Sequence, residues 1–306
     1  MNRNHKTKGT WPRGQSRNRA PRLSQRGDAP RHTKLITFLS DFGLSDTYVG
    51  VMKGVVASID PQARMVDLCH DVAPQDVCMA AFLLAGSFAY FPPGTIHVAV
   101  VDPTVGSGRP ALCVQSGDYF FIGPDNGILS IACYRAGRPK IFLLENEKFF
   151  LKWQSRTFHA RDVFAPAAAH LSTGVPVETM GRKIGSMQRI RMPRPITERG
   201  SRLRQPRIRG EVLHVDRFGN LITNIEPHTI QSAFPRADRS SLLVTLADHE
   251  IHGLSATYSD VAPGLALALF GSYNLMEVAV RDGNASLTLG IGRGDRIRIG
   301  SGGGAS

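Results

Sequence analysis

The chain has 306 residues, 42% of them hydrophobic, and a formal net charge of +12. That apolar content excludes a disordered chain. The length passes the roughly 250–300 residues at which a single core stops growing, so two domains are expected. The uncharged run over residues 77–93 is shorter than the about 20 apolar residues a membrane span needs. It closes on Pro92 and Pro93 and reads as a buried helix.

The positive charge is concentrated at one end. Residues 1–32 hold nine Lys/Arg against one acid, Asp28, with almost no aliphatic side chains. Residues 1–33 are therefore expected to form a disordered basic arm. Such an arm is where nucleic acid or another anionic surface would bind; a solvated extension is the favoured reading. No apolar signal-peptide core is visible. Cys69, Cys78, Cys113 and Cys133 lack metal-type spacing and sit in apolar contexts. They are expected to be reduced and buried, which points to the cytoplasm.

Lys34–Ser40 alternates and is β-branched, the pattern of a first strand. Asp46 or Thr47 would cap a helix over 47–59, with Val51, Val55 and Ile59 on its buried face. Arg64–Cys69 is a second strand, Gln75–Phe91 a second helix and Thr95–Asp102 a third, strongly apolar strand. This β-α-β-α-β order predicts an α/β domain with a mostly parallel central sheet. Strands at 111–115, 119–122 and 140–144 follow, with a PDNG turn at 124–127, a helix ending near Tyr134 and a last helix at 162–171. The first domain is thus expected over 34–175, and the Pro/Arg/Gly-rich stretch 176–209 as a linker. From Gly210 the period changes. GEVLHVD, NLITNI, SLLVTL, LALALF, LMEVAV and GDRIRI are short strands between turn signals, which predicts a smaller all-β barrel over 210–300. Residues 301–306 read as a flexible tail.

The chemistry gathers in a few islands. In HVAVVDPTVGSGR, Asp102 and Arg109 stand at the carboxyl end of a strand, where open α/β sheets keep ligand crevices. TFHARDVFAP supplies His159. An Asp, an Arg and a His together would position and deprotonate a water, although each alone is equally consistent with a structural ion pair or a hydrogen-bonded histidine. Asp41, at the end of the first strand, fits either a ribose-gripping carboxylate or a turn aspartate. Asp125 and Asn126 of the PDNG turn are further polar candidates. In the second domain, Asp216, Phe218 and Asn220, with Asn224 nearby, combine an aromatic with acceptors and amides, as an adenine or amino-acid pocket would. Ser272 and Glu277 flank later strands. No P-loop or GxGxxG is present, which argues against ordinary nucleotide binding. The histidines do not cluster with carboxylates at metal-site spacing, so no metal is expected.

Taken in order, FLSDFGLSDTYVGVMKG, DLCHDVAPQDV, HVAVVDPTVG, PDNG, TFHARDVFAPAAAHL, VDRFGNLITNI and the final GNAS and GD segments resemble the S-adenosylmethionine hydroxide adenosyltransferases. These are relatives of the fluorinating and chlorinating enzymes that act on the same substrate. The resemblance runs from about Leu35 to Ile299. It implies hydrolysis of S-adenosylmethionine to adenosine and methionine without a cofactor. It also implies a homotrimer whose ligand lies between one subunit's N-terminal domain and its neighbour's C-terminal domain. By position, Asp102, Arg109 and His159 match the water-activating set and Asp41 the ribose-gripping acid. Asp216 and Asn220 match residues at the methionine end, and Phe218 an aromatic of the adenine pocket. Ser272 and Glu277 fall in a methionine-contacting segment, and Asn284 and Ala285 fall where backbone reads the adenine edge. The halogenating relatives carry a tyrosine at the position of Asp102, a threonine at that of Val105 and an extra loop before the PDNG-like turn. Thr104 replaces the family's usual glycine. A carboxylate at 102 would repel a halide, so water is the expected nucleophile. The rival readings are a halide adenosyltransferase, or a non-catalytic adenosyl-binding module with a nucleic-acid-binding arm.

Overall fold

The computed structural model describes residues 34–198, 200 and 205–302. The basic arm at 1–33 and residues 303–306 of the tail lie outside the described residues. The described chain divides after Arg191 into two compact units.

The first unit opens with the strands and helices that the apolar periodicity predicts: β1 (Leu35–Ser40), α1 (Tyr48–Ile59), β2 (Arg64–Cys69), α2 (Val77–Ser87) and β3 (Ile96–Val100). Then come β4 (Ala111–Ser116), β5 (Tyr119–Pro124), α3 (Ser130–Ala136), β6 (Lys140–Leu143), α4 (Ala165–Ser172) and the two-residue β7 (Lys183–Ile184). The sheet order is β2-β1-β3-β5-β4-β6-β7. β2, β1, β3 and β5 are parallel neighbours, while β4, β6 and β7 each pair antiparallel with the strand before them in the order. Five of the seven strands therefore run the same way, a mostly parallel sheet. β1 and β3 are buried at every residue, as expected for inner strands covered on both faces.

Some details differ from the sequence expectation. The buried stripe of α1 is Val49, Met52 and Val56, and Val51 is 42% exposed. A step of four residues drifts about 40° around a helix, so the 51–55–59 series slides off the core. The mixed three-and-four step of 49–52–56 stays on it. Thr47 is the N-cap but makes no side-chain cap bond. α2 ends at Ser87 and a 3-10 turn carries Phe88–Tyr90, so the predicted helix to 91 is shorter. Residues 160–164 form a π-turn ahead of α4. Cys113 and Cys133 are buried as expected, but Cys78 is exposed and Cys69 half-buried. Cys78 sits in the first turn of α2, on the side away from the core.

The second unit carries β8 (Ile196–Glu198), β9 (Arg207–Val215), β10 (Leu221–Thr223), α5 (Pro227–Ala233), β11 (Leu242–Leu246) and β12 (His249–His252). It ends with β13 (Ala266–Phe270), β14 (Met276–Val280), α6 (Ala285–Leu289) and β15 (Arg296–Ser301). All pairings are antiparallel, in the order β12-β11-β15-β9-β10-β14-β13, with β8 on β9. The ends of this path approach one another: Ser255, just past β12, donates its N–H to Ala268 O on β13 at 2.8 Å. The sheet is thus a nearly closed barrel around Ile208, Val212, Leu221, Val244, Met276 and Ile299. Within 176–209, β7 extends the first sheet and β8 the second; the Pro/Arg composition hides both because each is only two or three residues long. Among the described residues no helix is long and apolar enough to cross a membrane.

Candidate active site

Parallel strands deliver their carboxyl ends to one side of a sheet. Ser40 of β1 is paired with Val100 of β3, so the residues that follow, Asp41 and Asp102, emerge at the same end. The loop after β1 is held from within. Ser40 Oγ accepts from Phe42 N–H at 3.3 Å and lies 2.7 Å from His70 Nδ1. Gly43 N–H donates to His70 O at 2.8 Å. Asp41 Oδ2 accepts from Gln75 N–H at 2.9 Å.

After β3, the turn 103–108 returns the chain to Arg109. Gly106 has φ +77°, and a Cβ there would stand 2.3 Å from Arg156 O, so only glycine permits this turn against the segment leading to His159. Arg109 Nε donates to both oxygens of Asp102, at 3.0 and 2.9 Å, and its Nη2 also donates to Oδ2. Thr104 O–H donates to Oδ1 at 3.3 Å. The guanidinium lies over the buried Phe164 ring, 5.3 Å from its centroid. The Asp102 and Arg109 side chains are 5% and 7% exposed, and a buried charge of either sign needs such a partner.

Nη2 of Arg109 also stands 3.1 Å from His159 Nδ1. A guanidinium only donates, so Nδ1 must accept. The imidazole is therefore neutral and carries its proton on Nε2. Burial and the Arg109 charge lower its pKa from the usual 6.5, against smaller opposing effects of Asp102 and Asp162, which agrees with that tautomer. His159 is placed by the π-turn. Asp162, fully buried, accepts from Ser155 N–H at 2.7 Å and from Arg161 Nε at 2.6 Å. Burial alone would raise the Asp162 carboxyl; these bonds hold it below the usual carboxylate range. The three residues that the sequence names as a water-activating set thus form one connected chain, Asp102–Arg109–His159. Asp125 and Asn126 instead tie their turn to neighbouring segments. Asn126 Nδ2 donates to Val101 O at 2.8 Å, and Asp125 Oδ1 accepts from Gln188 N–H at 2.7 Å.

The second unit gathers the other candidates. Asp216 shapes the β9–β10 turn: Oδ1 accepts from Phe218 and Asn220 N–H at 2.9 and 2.8 Å, and Oδ2 from Asn220 Nδ2 at 3.0 Å. Gly219 (φ +84°) leaves no room for a Cβ, which would lie 2.1 Å from the Asn284 amide carbon. Asn284 caps α6, its Oδ1 accepting from Leu287 N–H at 2.8 Å, and Ala285 is fully buried behind it. Phe218, Asn220, Asn284, Tyr258, Arg281 and Asp282 line an open pocket of about 770 Å³. Phe218 is 75% exposed at its rim. Ser272 is exposed. Glu277 is buried and accepts from Tyr258 O–H at 2.6 Å; burial raises its pKa, Tyr258 opposes this and the charge of Asp216 adds to it. Sequence reasoning missed Phe164, Tyr258 and Arg281, and named Thr104 only as a departure from the family's glycine. Only Tyr258 had a local signal, the Thr257-x-x-Asp260 capping box that flanks it. Among the described residues no group of three or more His, Cys, Asp or Glu is placed to hold a metal ion.

This chain matches the models for the SAM hydroxide adenosyltransferase N-terminal domain over residues 36–181 and C-terminal domain over 210–298. It is 37% identical over 271 residues to an (R)-S-adenosyl-L-methionine hydrolase of Thermus thermophilus, covering 86% of this chain and 98% of that protein. A crystal structure of a conserved Thermotoga maritima protein superposes with a TM-score of 0.79 at 36% identity, over 86% of this chain and 99% of the other. A fluorinase of an Actinoplanes species is a more distant relative, 28% identical over 65% of this chain and 74% of its own. The chain belongs to the SAM hydroxide adenosyltransferase family.

Proposed function

We propose that this chain hydrolyses (R)-S-adenosyl-L-methionine to adenosine and L-methionine. Water attacks the ribose C5′, the O–C5′ bond forms, and the C5′–S bond breaks with its electron pair passing to sulfur. One proton is released. The sulfonium leaves as a neutral thioether, so no general acid is required and the demand falls on the nucleophile. The connected Asp102–Arg109–His159 chain is the observation that carries this reading. Asp102 supplies the anionic acceptor that orients the water, Arg109 stabilises developing hydroxide, and His159 completes the hydrogen-bonded set with Nε2–H. The Asp102 carboxylate would oppose a halide at the same place.

Asp41 is the acid for the ribose hydroxyls. Asp216 and Asn220 serve the methionine end, with Ser272 and Glu277 in the adjoining segment. Phe218, Asn284 and Ala285 serve adenine. S-adenosylmethionine is substrate, and the chemistry calls on no further cofactor or metal. The active assembly is a homotrimer in the cytoplasm, each site completed by a neighbour's C-terminal domain. Nucleic acid is not a favoured partner; only residues 1–33 would reach one.

Incubation of purified protein with the substrate, followed by chromatography, should give adenosine and methionine in equal amounts, undiminished after dialysis against a chelator. A 5′-halo-adenosine product in chloride or fluoride, or no turnover, would overturn the assignment. Light scattering checks the trimer.

A further inference from the structure

The turn that carries Asp102 and Arg109 is anchored at its two ends by backbone carbonyls, and one dipeptide of the PDNG turn holds both. Val101 O accepts from Asn126 Nδ2 at 2.8 Å, and Pro110 O accepts from Asp125 N–H at 2.9 Å. Val101 immediately precedes Asp102, and Pro110 immediately follows Arg109. Pro110 O also accepts from Arg109 Nη1 at 3.1 Å, so the carbonyl that Asp125 fixes steers the guanidinium in turn. Sheet pairing stops short of both residues. β3 pairs with β1 as far as Val100 and with β5 as far as Val98, and β4 pairs with β5 from Ala111. The brace is itself fixed. Asn126 Oδ1 accepts from Ile128 N–H at 3.2 Å, so the amide donates on one side and accepts on the other. Asp125 Oδ1 accepts from Gln188 N–H at 2.7 Å, and Ser130 Oγ from Ile190 N–H at 3.1 Å. Ile190 packs on Gly127 so closely that a Cβ there would stand 2.8 Å from its Cγ1.

We infer that Asn126 is a positioning residue: through the Val101 carbonyl it fixes where Asp102 stands against the attacking water. The inference rests on the adenosine-forming reading above. The side-chain clamp between Arg109 and Asp102 sets the distance between those two groups; the brace sets where the clamped pair stands. Val101 is fully buried, and a buried carbonyl that loses its donor must shift to find another. A displacement of about 1 Å at a reacting group costs on the order of 10²-fold in rate. Asn126 bonds to backbone and acts only through Asp102, so its loss should fall on turnover and leave substrate binding alone.

Two variants remove the donor and keep the turn. In Asn126→Ser the hydroxyl can still accept from Ile128 N–H but is too short to reach Val101 O. Asn126→Asp has the shape of the native side chain and lacks only the N–H, so it reads out even if the serine variant fails to fold. Each should lower kcat for S-adenosylmethionine about tenfold with KM unchanged, since one of two anchors remains. Added to Asp102→Asn, Asn126→Ser should cost nothing further, the signature of a residue that acts through the carboxylate. Hydrogen exchange reads the brace without substrate: segment 101–111 should exchange faster in both variants while β1 and β5 keep their protection. A wild-type kcat in either folded variant overturns the inference, as does a loss that lies in KM or one that multiplies with Asp102→Asn. Wild-type protein without turnover would instead count against the proposed function; the inference would then be judged by exchange, and unchanged exchange over 101–111 would overturn it.

Discussion

The two units orient their functional groups by opposite means. In the α/β unit, side chain is held by side chain: Arg109 clamps Asp102 and reaches His159, and the pair is nearly closed to solvent. In the barrel, apart from the Tyr258–Glu277 and Asn220–Asp216 side-chain bonds, polar side chains hold backbone. Asp216 takes the N–H groups of Phe218 and Asn220, Asn284 takes that of Leu287, and Asp260 takes those of Ala256 and Thr257. The aromatic that results, Phe218, is left largely bare. A group that must stabilise charge gains from a dry, prearranged neighbourhood. A wall that must bind a flat, apolar ring needs shape and uncovered area. Changes in the first unit should therefore strike turnover, and changes in the second should strike binding or stability.

The largest effect is expected for Asp102→Asn. The amide keeps the shape but loses the charge that Arg109 is paired with, and kcat should fall about 10²–10⁴-fold with little change in KM. Steady-state rates decide it; a wild-type kcat would break the contrast between the units. The same clamp sets a pH profile. His159 must be neutral to accept from Arg109, and its pKa lies below 6.5. Activity should hold between pH 8 and 6.5 and fall only on the acid side, as protonation turns Nδ1 into a donor facing a guanidinium. A limb centred above pH 6.5 in kcat/KM would contradict that arrangement.

In the barrel, Gly219→Ala should cost about 1–3 kcal/mol of stability, because φ +84° is unfavourable for alanine and the new methyl would displace the Asn284 side chain that caps α6. Urea unfolding measures it, and an unchanged midpoint would show that the cap yields freely. Phe218→Ala is the milder test. With the ring 75% exposed, the melting temperature should not move, while KM rises about tenfold from lost stacking area. A variant with unaltered KM would remove Phe218 from the site.

These contrasts also mark where the sequence was legible. Asp102 and Arg109 could be read because both lie on a strand-to-turn transition, where apolar alternation breaks into Pro and Gly. The barrel strands could be read because their period is local. The tautomer of His159 could not, since it depends on a donor 50 residues away. Nor could Tyr258, whose partner sits 19 residues away on β14 and whose exposure resembles that of any surface aromatic. The face of α1 was misplaced because two apolar series share one helix and packing alone chooses between them. The π-turn at 160–164 has no periodic signature distinct from that of an α-helix, yet it sets where His159 enters.

The smallest effect at neutral pH, and the sharpest outside either site, concerns His97. It lies on β3, wholly buried, with Nδ1 2.7 Å from Thr37 Oγ1 and with no hydrogen-bond partner for Nε2 among the described residues. The ring stacks on Phe121 at 5.3 Å, with Phe88, Phe91 and Tyr119 around it. Burial alone lowers its pKa from 6.5 to about 3. The unfolded chain therefore binds a proton here between pH 6.5 and 3 that the folded chain refuses. The contribution to stability is fully present above pH 6.5 and is lost progressively as pH falls towards 3, by about 1.4 kcal/mol per pH unit when one proton is involved. Replacing both polar partners, as Thr37→Val with His97→Phe, leaves no hydroxyl stranded and removes the titration. At pH 7 the double variant should melt close to the wild type, and between pH 6 and 4 its stability should fall less steeply, by about one proton's worth of slope. Denaturant unfolding across that range measures the difference. Parallel curves for the two proteins would mean that acid sensitivity arises elsewhere, in a carboxylate such as Asp162, which Arg161 holds below the usual range, rather than in this aromatic-lined core.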